Sequence, residues 1–121
     1  MNNKDNNHPT LTVGSNLHPT ELRCPNQCGA FREIIDKMYR THLEKNQDYS
    51  PANIRAMGEL GLSTRVWDKV ARLLNLMGFD IERGTYSSKK EPKNESIDDT
   101  LLDLANYAII WQIYRQNKWG K

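Results

Sequence analysis

Four oxygen-bearing residues of the segment ESIDDTLLDLANYAIIWQIYRQ, namely Glu95, Asp99, Asp103 and Asn106, are spaced as ligands of a divalent cation would be. On a helix turning about 100° per residue they fall within an arc of roughly 80°, one line of oxygens down one face. The other sides of the segment are apolar, through Leu101, Leu102, Leu104, Ala105, Ile109, Ile110, Trp111 and Ile113, so it reads as a buried helix. Neighbouring carboxylates repel one another, and burying them unpaired is costly, so a positive charge is expected against them. Mg²⁺, or Mn²⁺ in its place, suits such hard oxygen ligands. Asp103 or Glu95 would then serve as the base for a metal-polarised water. The competing reading places Glu95 and Asp99 at the positive start of a helix and neutralises Asp103 with Arg or Lys from the preceding helix.

That preceding helix carries the complement. Arg65, Asp68, Lys69 and Arg72 occupy about 100° of arc, on the side away from Val66, Val70, Leu73 and Met77. Asp68 can add a ligand, while Arg65, Lys69 and Arg72 can hold phosphate oxygens. A third group, Lys45, Asp48 and Tyr49 in KNQDYS, can pair with phosphate or stack on a base. With Asn106 these residues form a candidate nucleotide-binding set. The plainer alternatives are a solvated charged helix face and a helix end followed by a turn.

The elements that must position these groups are helical. Residues 1–28, rich in Asn, Pro, Thr and His, predict an extended arm, and residues 29–121 an all-α domain. Phe31, Ile34, Ile35, Met38 and Leu43 recur at helical spacing, which predicts a first helix over about 30–46, with His42 as a packed or surface residue. Ser50 before Pro51 predicts the start of a short helix interrupted at Gly58 and Gly61. Ser63 can cap the next helix, which stops at Gly78. From Phe79 to Asn94 the polar, Lys-rich chain predicts a mobile loop, and Ser96 with Asp99 resembles a capping box opening the last helix. No alternating apolar pattern suggests a sheet. A four- to five-helix bundle follows, with the last two helices antiparallel.

Composition sets the outer bounds. A chain of 121 residues with 37% hydrophobic and 26% charged residues suits one globular domain, and a net charge of +2 is too small for a nucleic-acid groove. No apolar run approaches the roughly 18 residues of a membrane span, and no secretory signal is visible, so a cytoplasmic protein without a membrane partner is expected. Cys24 and Cys28, at C-x3-C spacing, fit neither a zinc knuckle nor a disulfide framework. The apolar majority of the last helix, with Trp111, Ile113 and Tyr114, predicts a homodimer or higher homo-oligomer.

The order KNQDYS, GLSTRVWDKVARLLNL, ESIDDTLLDLANYAIIW and KWGK resembles the nucleotide modification associated domain type 1 family, common in phages and prophages, over roughly residues 30–118. That family looks like a relative of the all-α nucleoside triphosphate pyrophosphohydrolases of the MazG and dimeric dUTPase kind. The resemblance implies a MazG-like bundle and Mg²⁺-dependent hydrolysis of a phosphoanhydride in an NTP or dNTP. In those enzymes an E-x-x-E and an E-x-x-D helix bind the metal. The second motif corresponds here to Glu95, Asp99 and Asp103 in shifted spacing, and helix three offers Asp68 with Arg65 three residues before it. The alternative expectation is a non-catalytic nucleotide- or partner-binding module in phage DNA modification or counter-defence.

Overall fold

A computed structural model describes residues 16–48, 51–87 and 94–121, with the side chains at 48 and 94–96 outside that description. The protein is mostly helical (78%), with four helices and one two-stranded hairpin among the described residues. The chain divides into two compact units, one up to Tyr39 and one from Arg40 on.

The first unit holds α1 (Pro19–Arg23) and the larger part of α2 (Pro25–Asp48), and α1 together with the first four residues of α2 occupies sequence expected to be extended. Helix starts written into the chain account for the difference. The His18 imidazole accepts from the Thr20 N–H, the Glu21 carboxylate accepts from the His18 N–H at 2.8 Å, and Pro19 supplies a pre-set first helical residue. Pro25 opens α2 in the same way, five residues before the predicted start. Arg32 on α2 pairs with Glu21 on α1 at 3.6 Å. Cys24 and Cys28 are free, half-buried thiols. Residues 1–15 of the predicted arm lie outside the described residues.

In the second unit, α3 (Ala52–Met77) and α4 (Asn94–Arg115) pack side by side. The partner on α3 steps back from Lys69 to Arg65 to Glu59 while the partner on α4 advances from Asp103 to Tyr107 to Trp111. These steps in opposite directions, four and then six residues back on α3 against four and four forward on α4, make the pair antiparallel, as the sequence predicts. α3 replaces the two separate helices expected there. It bends at Gly58, whose φ of 61° and ψ of −152° only glycine adopts readily. The bend brings the backbone under α4, where a Cβ at position 58 would lie 3.2 Å from the Tyr114 hydroxyl. Ser63 does not cap a helix: its hydroxyl donates to the Leu60 carbonyl at 2.8 Å, within the continuous turn. α4 likewise begins before Ser96, which lies inside the helix.

The core of this unit is small. Ile54 and Leu62 from α3 and Trp119 from beyond α4 are buried, and Tyr107, Ile110, Trp111, Ile113 and Tyr114 of α4 pack against them. Burial of α4 is one-sided, since Leu101 and Ile109 remain 47% and 44% exposed. Apolar residues all round a helix need partners all round, and α3 covers only one side.

α3 closes at Gly78, as predicted. A short hairpin follows, β1 (Phe79–Asp80) against β2 (Thr85–Tyr86), antiparallel with Phe79 opposite Tyr86. This corrects the expectation of a loop without sheet. The Asp80 carboxylate accepts from the Arg83 N–H and its carbonyl from the Gly84 N–H, so one aspartate closes the turn with two bonds. No helix among the described residues is long and apolar enough to cross a membrane.

Candidate functional site

Within the second unit, the end of α2, the first turn and middle of α3, the middle of α4 and the segment after it enclose a cleft of about 340 Å³. Among the described residues, Lys45 and Arg65 supply its cations and Asp103 its single carboxylate. His42, Tyr107 and Trp119 supply rings, Asn46, Asn53 and Asn106 supply amides, and Ile54 and Ile110 are the apolar wall. The volume lies near the lower end of the range for small-molecule sites, about 300–1,000 Å³.

Asp103 is the electrostatic centre. Its Oδ1 accepts from the Lys45 ammonium at 3.3 Å and its Oδ2 pairs with the Lys69 ammonium at 3.2 Å. One carboxylate thus draws together cations from α2 and α3. The Lys45 side chain is 54% exposed and those of Lys69 and Asp103 about a quarter, so each pair adds only about 0.2–1 kcal/mol to stability. Placement of the lysines is the larger consequence. Each ammonium has three donors and commits one to Asp103.

Arg65 is placed by an aromatic ring. Its guanidinium lies over Tyr107, 5.8 Å from the ring centroid, and its Nη1 donates to the Tyr107 hydroxyl at 3.5 Å. Trp119, 8% exposed, donates its indole N–H to the Pro51 carbonyl at 3.1 Å and tilts at 56° against His42. His42 is in turn held by Asn46, whose amide donates to the His42 carbonyl at 2.9 Å. Gly120 lets the chain pass tightly after Trp119: with φ at 78°, a Cβ there would run into the Arg55 guanidinium and lie 3.0 Å from Pro51 Cβ.

Of the residues predicted from sequence, Lys45, Arg65, Asp103 and Asn106 come together in this cleft, and Lys69 joins them through Asp103. Asp68, Arg72 and Asp99 are exposed and are not among its lining residues. Asp48 and Glu95 have side chains outside the described residues, as does Tyr49 entirely. His42, Asn46, Asn53, Tyr107 and Trp119 escaped the sequence reading as site residues. The KWGK motif was the one visible signal for Trp119.

The expected Mg²⁺ can be set against this donor set. A metal of that kind takes several hard oxygens at short range. Both oxygens of Asp103 already face ammonium groups, and among the described residues no three His, Cys, Asp or Glu side chains gather where they could hold an ion. The described donors therefore do not fit Mg²⁺. The positive charge that Asp103 requires comes from lysine, as the competing sequence reading has it, with Lys45 as an unforeseen second partner.

Away from the cleft, the Trp111 indole and the Arg115 guanidinium both donate to Glu59 Oε1 at 2.7 Å. These bonds, the indole's first, hold the Glu59 carboxyl below its ordinary value. They fix Trp111 to α3.

No family model matches the chain, and comparisons with curated proteins and with solved structures likewise find no match.

Proposed function

We propose that the second unit is a nucleotide-binding module whose ligand occupies the Lys45–Arg65–Asp103 cleft. One observation carries the proposal: cations, flat rings and amide groups share a single small cavity. Phosphate calls for the cations, a base for a ring face and an apolar wall, and the base edge or sugar hydroxyls for amides. The resemblance to the nucleotide modification associated family points to the same ligand class, and a place in phage DNA modification or counter-defence goes with it.

Hydrolysis of an NTP or dNTP in the MazG manner is the second half of the expectation. It asks Asp103 to leave two lysines and join a metal ion, whereas binding alone asks for no rearrangement. The binding reading is therefore preferred. Calorimetry with nucleotides and with the matching unphosphorylated nucleosides tests it, and Lys45→Ala should weaken nucleotide binding by about tenfold, the loss of one charge-assisted hydrogen bond. Release of pyrophosphate in the presence of Mg²⁺ would restore the hydrolytic reading.

We also infer self-association, through a different face of α4 from the one the sequence suggests. Trp111, Ile113 and Tyr114 pack on the core, whereas Leu101 and Ile109 stay uncovered. Light scattering at micromolar concentration should give a dimer or larger species for the parent and a smaller one for Ile109→Glu. A monomeric parent overturns this.

A further inference from the structure

Charge narrows the ligand of the cleft. Lys45 and Arg65 line it, Lys69 reaches it through Asp103, and Asp103 is the one carboxylate on its wall among the described residues. Among the described side chains, three cations against one carboxylate leave an excess of two positive charges. A nucleoside triphosphate carries about four negative charges at neutral pH and is ordinarily accompanied by a divalent metal that offsets half of them. The described donors do not fit that metal, so a triphosphate here would keep negative charge without a partner. A phosphate monoester, with a second pKa near 6, carries close to two at pH 7.5. The two amounts match.

The donors match as well. Lys45 and Lys69 stand 3.3 and 3.2 Å from the two oxygens of the same carboxylate, which gathers both cations at one side chain of the cleft wall, and each has donors beyond the one given to Asp103. Arg65, held over Tyr107, presents a planar fork on the same wall.

We infer that the cleft takes a nucleoside monophosphate, bound as its dianion on Lys45, Lys69 and Arg65 without a divalent metal. This rests on the nucleotide reading above and adds to it the phosphorylation state and independence of metal. Asp103 acts as a positioning residue, holding the two lysines at the spacing one phosphate can bridge.

The test is calorimetry at pH 7.5 in EDTA, then in Mg²⁺, on the full chain. The probes are the common ribo- and deoxyribonucleoside 5′-monophosphates, the corresponding triphosphates, the free nucleosides and inorganic phosphate. At least one monophosphate should bind, about tenfold or more tighter than its triphosphate or its nucleoside in EDTA, and Mg²⁺ should leave its affinity unchanged. Lys69→Ala, checked for an unaltered circular dichroism spectrum, should weaken it about tenfold, and Lys45→Ala likewise. A triphosphate that binds as tightly in EDTA, or that gains affinity with Mg²⁺ while the monophosphate does not, overturns the inference and leaves the nucleotide reading standing. Inorganic phosphate binding as tightly as every monophosphate, or no binding by any nucleotide, overturns both.

Discussion

Replacing Trp119 with alanine probes how the cleft is held together. The indole is 8% exposed, packs with Ile54 and Leu62, and donates to the Pro51 carbonyl at 3.1 Å. Truncating a buried tryptophan removes its transfer free energy and leaves a cavity, together about 3–5 kcal/mol. Of this, about 0.5–1.5 kcal/mol belongs to the hydrogen bond, which Trp119→Phe would remove while keeping most of the packing. In a unit of this size each kcal/mol moves the melting temperature by about 4–8 °C, so Trp119→Ala should fall by at least roughly 12 °C and Trp119→Phe by much less. Domains of this kind hold only about 5–15 kcal/mol in total, so a large part of the stability is at stake. Thermal melts followed by far-UV circular dichroism give the numbers directly. A fall below about 5 °C for Trp119→Ala would mean that Trp119 does not hold α3 to the end of α2, and the cleft as described would be wrong.

Three further outcomes follow from particular contacts. Gly58→Ala should cost about 1–3 kcal/mol in denaturant unfolding, since alanine resists φ of 61° with ψ of −152° and its methyl would crowd the Tyr114 hydroxyl; a neutral result would place the bend elsewhere. Asp103→Asn should lower stability by no more than about 1–2 kcal/mol, the sum of two partly exposed pairs. Because Asp103 places Lys45 and Lys69, the same variant should also bind a nucleoside monophosphate less tightly than the parent, and unchanged binding would show that the lysines need no such placing. Glu59 titrates below its ordinary value of 4.5, so its bonds stabilise the fold fully above that value and fade as pH falls through the lower folded one. Parent and Glu59→Gln should therefore differ at neutral pH and converge in acid, and the Trp111 indole N–H resonance should shift with a midpoint below 4.5. A midpoint at or above it would refute the hydrogen bonds.

The helices and the antiparallel pairing of α3 with α4 were legible because their signals are local: apolar residues at helical spacing, a proline at a start, a glycine at an end. Of the charged line expected on α4, Asp103 and Asn106 line the cleft, Asp99 is exposed away from its lining and the Glu95 side chain lies outside the described residues; Lys45, Arg65 and Lys69 gather around Asp103 from neighbouring helices. What neutralises Asp103 was harder to see. A carboxylate facing inward calls for a cation, and composition cannot say whether metal or lysine answers. The Lys45 contact joins residues 58 positions apart, beyond the reach of any helical period. Asn53 enters the cleft only because α3 bends at Gly58, and Trp119 only because the chain turns back after α4 at Asn117, whose φ is 60°. The Phe79–Tyr86 hairpin escaped because strands of two residues leave no alternation to detect, the turn chemistry of Asp80 and Gly84 being its only trace.

The cleft is lined by four stretches of chain that lie far apart in sequence: the end of α2, α3 on both sides of its bend, the middle of α4 and Trp119. On the proposed reading none of them holds a ligand alone, so affinity belongs to the assembled unit and vanishes from the unfolded chain. Binding and folding are then linked, and a ligand at a hundred times its dissociation constant adds about 2.7 kcal/mol to the unfolding free energy. In a unit of this size that corresponds to a rise in melting temperature of roughly 10 °C or more, readable in a plate of dye-filled wells. If the proposal holds, the protein will report its own ligand, by which of many candidate small molecules keeps it folded longest on heating.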